Sequence, residues 1–216
     1  MSIAKSTLFN GMGGSLGNVI VYEVNGKIRM RSKPLSYKKS ESAGQQSQKN
    51  KFRSAALFFR HIGIPMRLAW KEAVRGTDLS GYNLFIKENI HHFTPEGLVD
   101  DIAKIKICHG PLYIPDRIEM HYTSPDTVRL TWTPYCPDNC NNNGNDLLQL
   151  AIYDENKKRN YKVYGLEHAP VKRKEGTCTL RLPAETKGEI HLFAFFRKPY
   201  ENIYSDSRFA GTVRME

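Results

Sequence analysis

Lys27, Arg29 and Arg31 alternate along one short run, and Tyr22 stands on the far side of Asn25-Gly26. Alternate residues of a strand share a face, and Asn-Gly is the pair that a two-residue type I′ hairpin takes. With that turn Val24 faces Lys27, Tyr22 faces Arg29 and Ile20 faces Arg31. On the other face Glu23 meets Ile28 and Val21 meets Met30. The predicted ribbon is apolar on one side and carries three cations beside a tyrosine on the other. Lys33, Lys38 and Lys39 follow at once. Such a face can neutralise phosphates, and a two-stranded ribbon fits a DNA major groove. Tyr22 can stack on a base or on Arg29. The candidate polyanion site is therefore Tyr22, Lys27, Arg29, Arg31, Lys33, Lys38 and Lys39. The competing reading packs the ribbon on the helices and leaves the cations reaching into solvent.

Other residue types capable of chemistry stand at poorer spacings. Cys136-Pro-Asp-Asn-Cys140 has a spacer that two zinc thiolates tolerate, and Cys108-His109 could complete a set. A structural zinc uses two compact ligand pairs, however, and Cys178 lies in a strand, where it serves as a small hydrophobe. A Cys136–Cys140 disulfide is disfavoured in a reducing compartment. Setting Gly144 at the sixth position of a calcium loop puts Leu150 at the twelfth, where a bidentate Glu is required. The run Gly11–Gly17 lacks the Lys-Ser/Thr of a phosphate loop and precedes a hairpin rather than a helix. His91-His92 close a helix, where its dipole favours cations. No Gly-x-Ser-x-Gly, His-Glu-x-x-His or paired-carboxylate pattern occurs. The expectation is a protein without catalytic residues, bound metal or cofactor.

The charge is distributed unevenly. Of the net +10, residues 1–75 hold +11, with 14 Lys and Arg against 3 Asp and Glu. Residues 76–108 hold −2 (3 against 5), and residues 109–216 hold +1 (15 against 14). An excess confined to one third of a chain points to an acidic partner or to a solvated basic surface. With 40% apolar residues the chain can build a core, which excludes wholesale disorder. Its longest apolar stretches, such as Ile190–Phe196 interrupted by His191, are too short to span a membrane. The start Met1-Ser2-Ile3-Ala4-Lys5 lacks a secretory signal, so the expected location is the cytoplasm.

The elements that must position these residues change character along the chain. Glycines 11–17 read as irregular entry to the ribbon. Pro34 ends the ribbon, and a helical period begins near Ser42, with Phe52, Ala55, Ala56 and Phe59 on one stripe. Pro65 suits the first turn of a second helix, striped by Met66, Ala69, Trp70 and Ala73 and stopped by Gly76. Ser80 can cap a third, with Tyr82, Phe85, Ile86 and Asn89 on one face. After about residue 105 the period becomes 2. Seven strand-like runs follow, at 118–122, 127–132, 147–153, 161–165, 176–182, 189–196 and 208–214. Short strands between turn-rich stretches read as an antiparallel β-sandwich. Its predicted core is Leu130, Trp132, Leu150, Ile152, Leu180, Leu182, Leu192 and Ala194.

Thr127–Trp132, a loop and then Leu148–Tyr153 resemble the B and C strands of a fibronectin type III domain, with Trp132 as its core indole. Glu189–Phe196 followed by Ser205-Asp-Ser207 resembles its F and G strands. The whole chain also resembles a domain-of-unknown-function family of Bacteroidetes proteins. The likeness lies in the early Gly-x-x-Gly before a hairpin, Arg29–Pro34, Gln48–Phe52, Trp70 and Tyr82–Asn89. That family implies a bacterial protein and carries no catalytic residue over.

The expected fold is therefore two domains, α+β followed by all-β. Residues 1–105 would form a basic unit of a β-hairpin and about three helices. Residues 106–216 would form a fibronectin type III or immunoglobulin-like sandwich, joined through a linker near residues 103–112. The expected function is non-enzymatic binding or structural work through protein–protein contacts. The alternative is nucleic-acid binding by the ribbon around Lys27, Arg29 and Arg31.

Overall fold

The computed structural model describes residues 2–3, 13–24, 26–36, 42–96, 98–124, 126–134, 144–154, 162–166, 169–183 and 188–215. Its chain divides into two compact units, one of residues 1–45 with 76–78, the other of residues 46–75 with 79–216. The division does not fall at residue 105. The change of hydrophobic period there marks a change of secondary structure, because the helices before it and the strands after it share a core.

The first unit is a four-stranded antiparallel sheet of β1 (Ser2–Ile3), β2 (Gly14–Leu16), β3 (Val19–Val24) and β4 (Lys27–Ser32), in the order β1-β4-β3-β2. The β3–β4 register pairs Val24 with Lys27, Tyr22 with Arg29 and Ile20 with Arg31, as the Asn-Gly turn requires. Gly26 takes φ 72°, the left-handed conformation of that turn; Asn25 lies outside the described residues. Val21 and Ile28, both on the apolar face, are the buried side chains of the ribbon. Within the glycine stretch expected to be irregular, Gly14–Leu16 instead form edge strand β2 and pair with Val21-Ile20-Val19.

In the second unit, α1 (Ala43–His61, from Gln46 onward), α2 (Ile64–Ala73) and α3 (Gly81–Asn89) precede two antiparallel sheets. Pro65 sits in the first turn of α2, and Ser80 caps α3 by accepting a hydrogen bond from the Asn83 amide. One sheet holds β5 (Ile118–Ser124), β6 (Thr127–Trp132) and β9 (Thr177–Arg181) in the order β5-β6-β9. The other holds β7 (Leu147–Asp154), β8 (Lys162–Leu166), β10 (Gly188–Arg197) and β11 (Arg208–Met215) in the order β11-β10-β7-β8. No described helix is long and apolar enough to cross a membrane.

Two hydrophobic cores lie on opposite faces of the four-stranded sheet. Between the sheets Leu130, Trp132, Leu150, Ile152, Leu180, Leu182, Leu192 and Ala194 are all buried together, as their alternation predicts. On the other face Phe58, Met66, Trp70 and Phe85 of the helices pack with Ala151, Tyr153, Phe193 and Phe195 of the strands. Phe58 stacks near Phe85 and meets Phe93 edge-on at 5.5 Å and Tyr153 at 5.7 Å. The α1 stripe is displaced from the predicted one. Ala55 and Phe58 are buried, whereas Phe52 is 45% exposed and Phe59 half-buried. Consecutive phenylalanines at 58 and 59 let the period be read on either side.

Trp132 combines burial with two directed contacts. Its indole N–H donates to the Arg173 carbonyl at 2.8 Å, and its ring meets Phe196 edge-on. Trp132→Ala should therefore cost roughly 3–5 kcal/mol, the range of a buried aromatic truncation. Urea unfolding checks this, with the helix signal and the sheet signal expected to shift together because the two cores share one sheet.

Candidate functional site

The ribbon brings most of the predicted polyanion residues together and already supplies a counter-charge. Lys27 Nζ lies 3.0 Å from both carboxylate oxygens of Asp78, and Arg29 lies 3.9 Å from one of them. Asp78 belongs to the short excursion 76–78 that joins this unit. Its effect was invisible in sequence, since 51 residues separate Lys27 from Asp78. Arg31 and Lys33 are exposed, and Tyr22 is half-buried beside Arg29. Lys38 and Lys39 lie outside the described residues, as do Cys136, Cys140 and the loop asparagines 139, 141 and 143.

The thiols that are described make poor ligands. Cys108 and Cys178 are free and buried. Burial pushes the Cys108 thiol well above its ordinary range, and the neighbouring Asp206 charge adds to this. Cys178 is likewise raised, by burial and then by Glu175. Among the described residues no three His, Cys, Asp or Glu side chains converge on a point where a metal ion could sit.

A polar cluster that sequence reasoning missed gathers around Asp206. His109 Nδ1 lies 2.6 Å from one carboxylate oxygen of Asp206, which also accepts the Gly110 amide at 3.2 Å. Lys106 lies 3.6 Å from the other oxygen and 3.2 Å from Glu88. The Trp70 ring stacks on the imidazole at 5.2 Å. Burial alone would raise the Asp206 carboxyl. The hydrogen bond and charge of His109, the Gly110 amide and Lys106 outweigh it and hold the carboxyl below its ordinary value. Beside this pair Ala69, Glu72, His109 and Tyr204 help line a cleft of about 230 Å³.

An imidazole oriented by a carboxylate is one part of a general base. The proton it takes can come from a protein group, a water or a substrate. Of the neighbouring protein groups, the Cys108 thiol is sealed in the core, and the Tyr204 phenol is raised by burial despite the pull of Arg197. The contacts also fasten backbone. Ser207 Oγ accepts the amides of Ile107 and Cys108, and the Leu112 amide donates to the Tyr204 carbonyl. No motif spacing could reveal this, because the partners stand almost a hundred residues apart.

The chain matches the family described as "Family of unknown function (DUF6266)" over residues 11–201. It belongs to that family. The DUF6266 match runs from the glycine stretch through the helices and the strands to β10, so it takes in most of both units and leaves β1 and β11 outside. A comparison with curated proteins found no match.

Asp206→Asn should lower stability by roughly 1–3 kcal/mol at pH 7, since it weakens acceptors of buried or half-buried donors. The sign of the pH effect follows from the depressed carboxyl. The stabilisation is full above the ordinary carboxylate range and is lost as pH falls through the lowered value. The wild-type and Asn chains should therefore converge in stability as denaturant unfolding is repeated toward pH 3. A constant gap across that range would contradict the assignment.

Proposed function

We propose that this DUF6266 member is a non-enzymatic binding protein that works through protein–protein contacts. The observation that carries the reading is the open edge of the first unit. β2 closes the order β1-β4-β3-β2, and among the described residues no strand pairs with its outer side. All three of its residues are exposed, with Leu16 at 67%, and Val19 beside it is 38% exposed. An edge with free N–H and C=O groups and apolar side chains is a template for an added strand. The second unit supports the same reading as a scaffold. Its strand orders, β5-β6-β9 and β11-β10-β7-β8, follow the A-B-E and G-F-C-C′ pattern of a fibronectin type III sandwich. The free thiols Cys108 and Cys178 suit a cytoplasmic setting.

A photo-crosslinking side chain tests the edge. Placed at position 16, it should give a discrete protein adduct in the host cell. Placed at fully exposed Tyr200, it should not. Equal labelling from the two positions, or none from either, would overturn strand addition.

The second reading, nucleic-acid binding by the ribbon, is favoured by exposed Arg31 and Lys33 next to Lys27 and Arg29. Asp78 would then act as a competitor for the same cations. Asp78→Asn should tighten heparin or duplex DNA binding severalfold, in keeping with the modest strength of exposed ion pairs. Arg31→Ala with Lys33→Ala should weaken it. Unchanged affinity in both variants ends this reading.

A further inference from the structure

The basic excess of the first third lies more in the helices than in the ribbon. Residues 42–71 contain six Lys and Arg and no Asp or Glu, so this stretch alone holds +6 of the +11. Four of the six stand on α1: Lys49, Lys51, Arg53 and Arg60. Lys49, Arg53 and Arg60 are exposed, at spacings of four and seven residues. At 100° per residue they fall within about 40° of one another, and they span about 16 Å along the axis. They form a straight row down the middle of the exposed face. Gln46, Gln48 and Asn50 are exposed along its flanks. None of these cations makes an ion pair with a described residue. Glu96 comes to the margin of the face, lining a hollow with Asn50 and Arg53, and pairs with neither.

We propose that the exposed face of α1 is a docking surface for duplex nucleic acid. Lys49, Arg53 and Arg60 would lie on the phosphates, with Gln46 and Asn50 beside them. The complementarity is one of charge and of form. A row of evenly directed cations matches an anion that repeats along an axis, with about 3.4 Å rise per phosphate on each strand. Amide side chains donate to phosphate oxygens, and both donate to and accept from base edges. A single helix fits a major groove about 12 Å wide. An anionic bilayer fits less well. An interfacial helix inserts one continuous apolar face; on α1 Ala55 and Phe58 are buried in the core, and the exposed Phe52 and Leu57 stand on opposite sides of the cation row rather than forming such a face. This surface shares no residue with the edge of β2 or with the ribbon, so neither reading above is needed for it.

The test uses the full chain and a fluorescent 20-base-pair duplex, with anisotropy measured over a salt series. Lys49→Ala, Arg53→Ala and Arg60→Ala together should weaken binding at least tenfold. The slope of log K against log salt should flatten by about 0.9 per lost phosphate contact. Two control pairs remove charge elsewhere: Arg67→Ala with Lys71→Ala on α2, and Arg129→Ala with Lys174→Ala, on β6 and before β9. Both should keep the wild-type slope. All three variants change exposed side chains, and a matching thermal transition checks their fold. Wild-type affinity in the triple variant overturns the proposal. So does equal flattening, charge for charge, in the controls, which would show that only net charge is sensed. Preferential binding to phosphatidylserine vesicles over the duplex would make the face a membrane contact and would also overturn it.

Discussion

A buried stretch of irregular backbone must find a partner for each of its N–H and C=O groups, and residues 105–112 are such a stretch. Ile105, Ile107 and Cys108 are buried, yet beyond the single turn at Ile102–Lys104 the chain runs on without helix or strand. Its polar groups are met from two sides. From the helices, the fully buried Asn89 side chain bonds both the amide and the carbonyl of Lys106, and the Trp70 indole donates to the Ile107 carbonyl. From the approach to β11, Ser207, Asp206 and Tyr204 take the amides of residues 107, 108, 110 and 112. Helices and strands are thereby fastened to one segment, and the aromatic core between them is closed at that end.

This segment also explains why a linker was expected there. Cys108-His-Gly-Pro111 has the composition of a break, and hydrophobic periodicity does change beside it. Composition reports local conformation. It cannot report that Gly110 lies where a Cβ would collide with the Tyr204 carbonyl, so that glycine permits close approach rather than freedom. The contacts that turn a break into core come from residues 204–207, whose side chains carry no local signal of the role.

The strands were legible because each alternates, and every predicted inward residue of the sandwich is buried between the sheets. What alternation hid was the second buried face of β7 and β10. Phe193 and Phe195 point away from Leu192 and Ala194 and lie in the core with the helices, so β10 is apolar on both faces from Leu192 to Phe196. A continuous apolar run is the mark of a strand buried on both faces, and Leu192–Phe196 carried that mark. The ribbon register followed from Asn-Gly, whereas its pairing with Asp78 did not, since no local pattern reports a carboxylate 51 residues away. The cation row on α1 was open to counting from the start. Its exposure depended on which side of the helix the phenylalanines chose.

The sheet buried on both faces has a consequence for synthesis. Phe58, Trp70 and Phe85 rest on Phe193 and Phe195, which leave the ribosome more than a hundred residues later. At ordinary translation speeds that interval is roughly 5 to 20 seconds. For that time three amphipathic helices carry an aromatic stripe with nothing to cover it, and the contacts that will cover it are among the most distant in the chain. Long-range closure of this kind slows folding and exposes the nascent chain to aggregation. The helices of this protein are made well before the strands that complete their core.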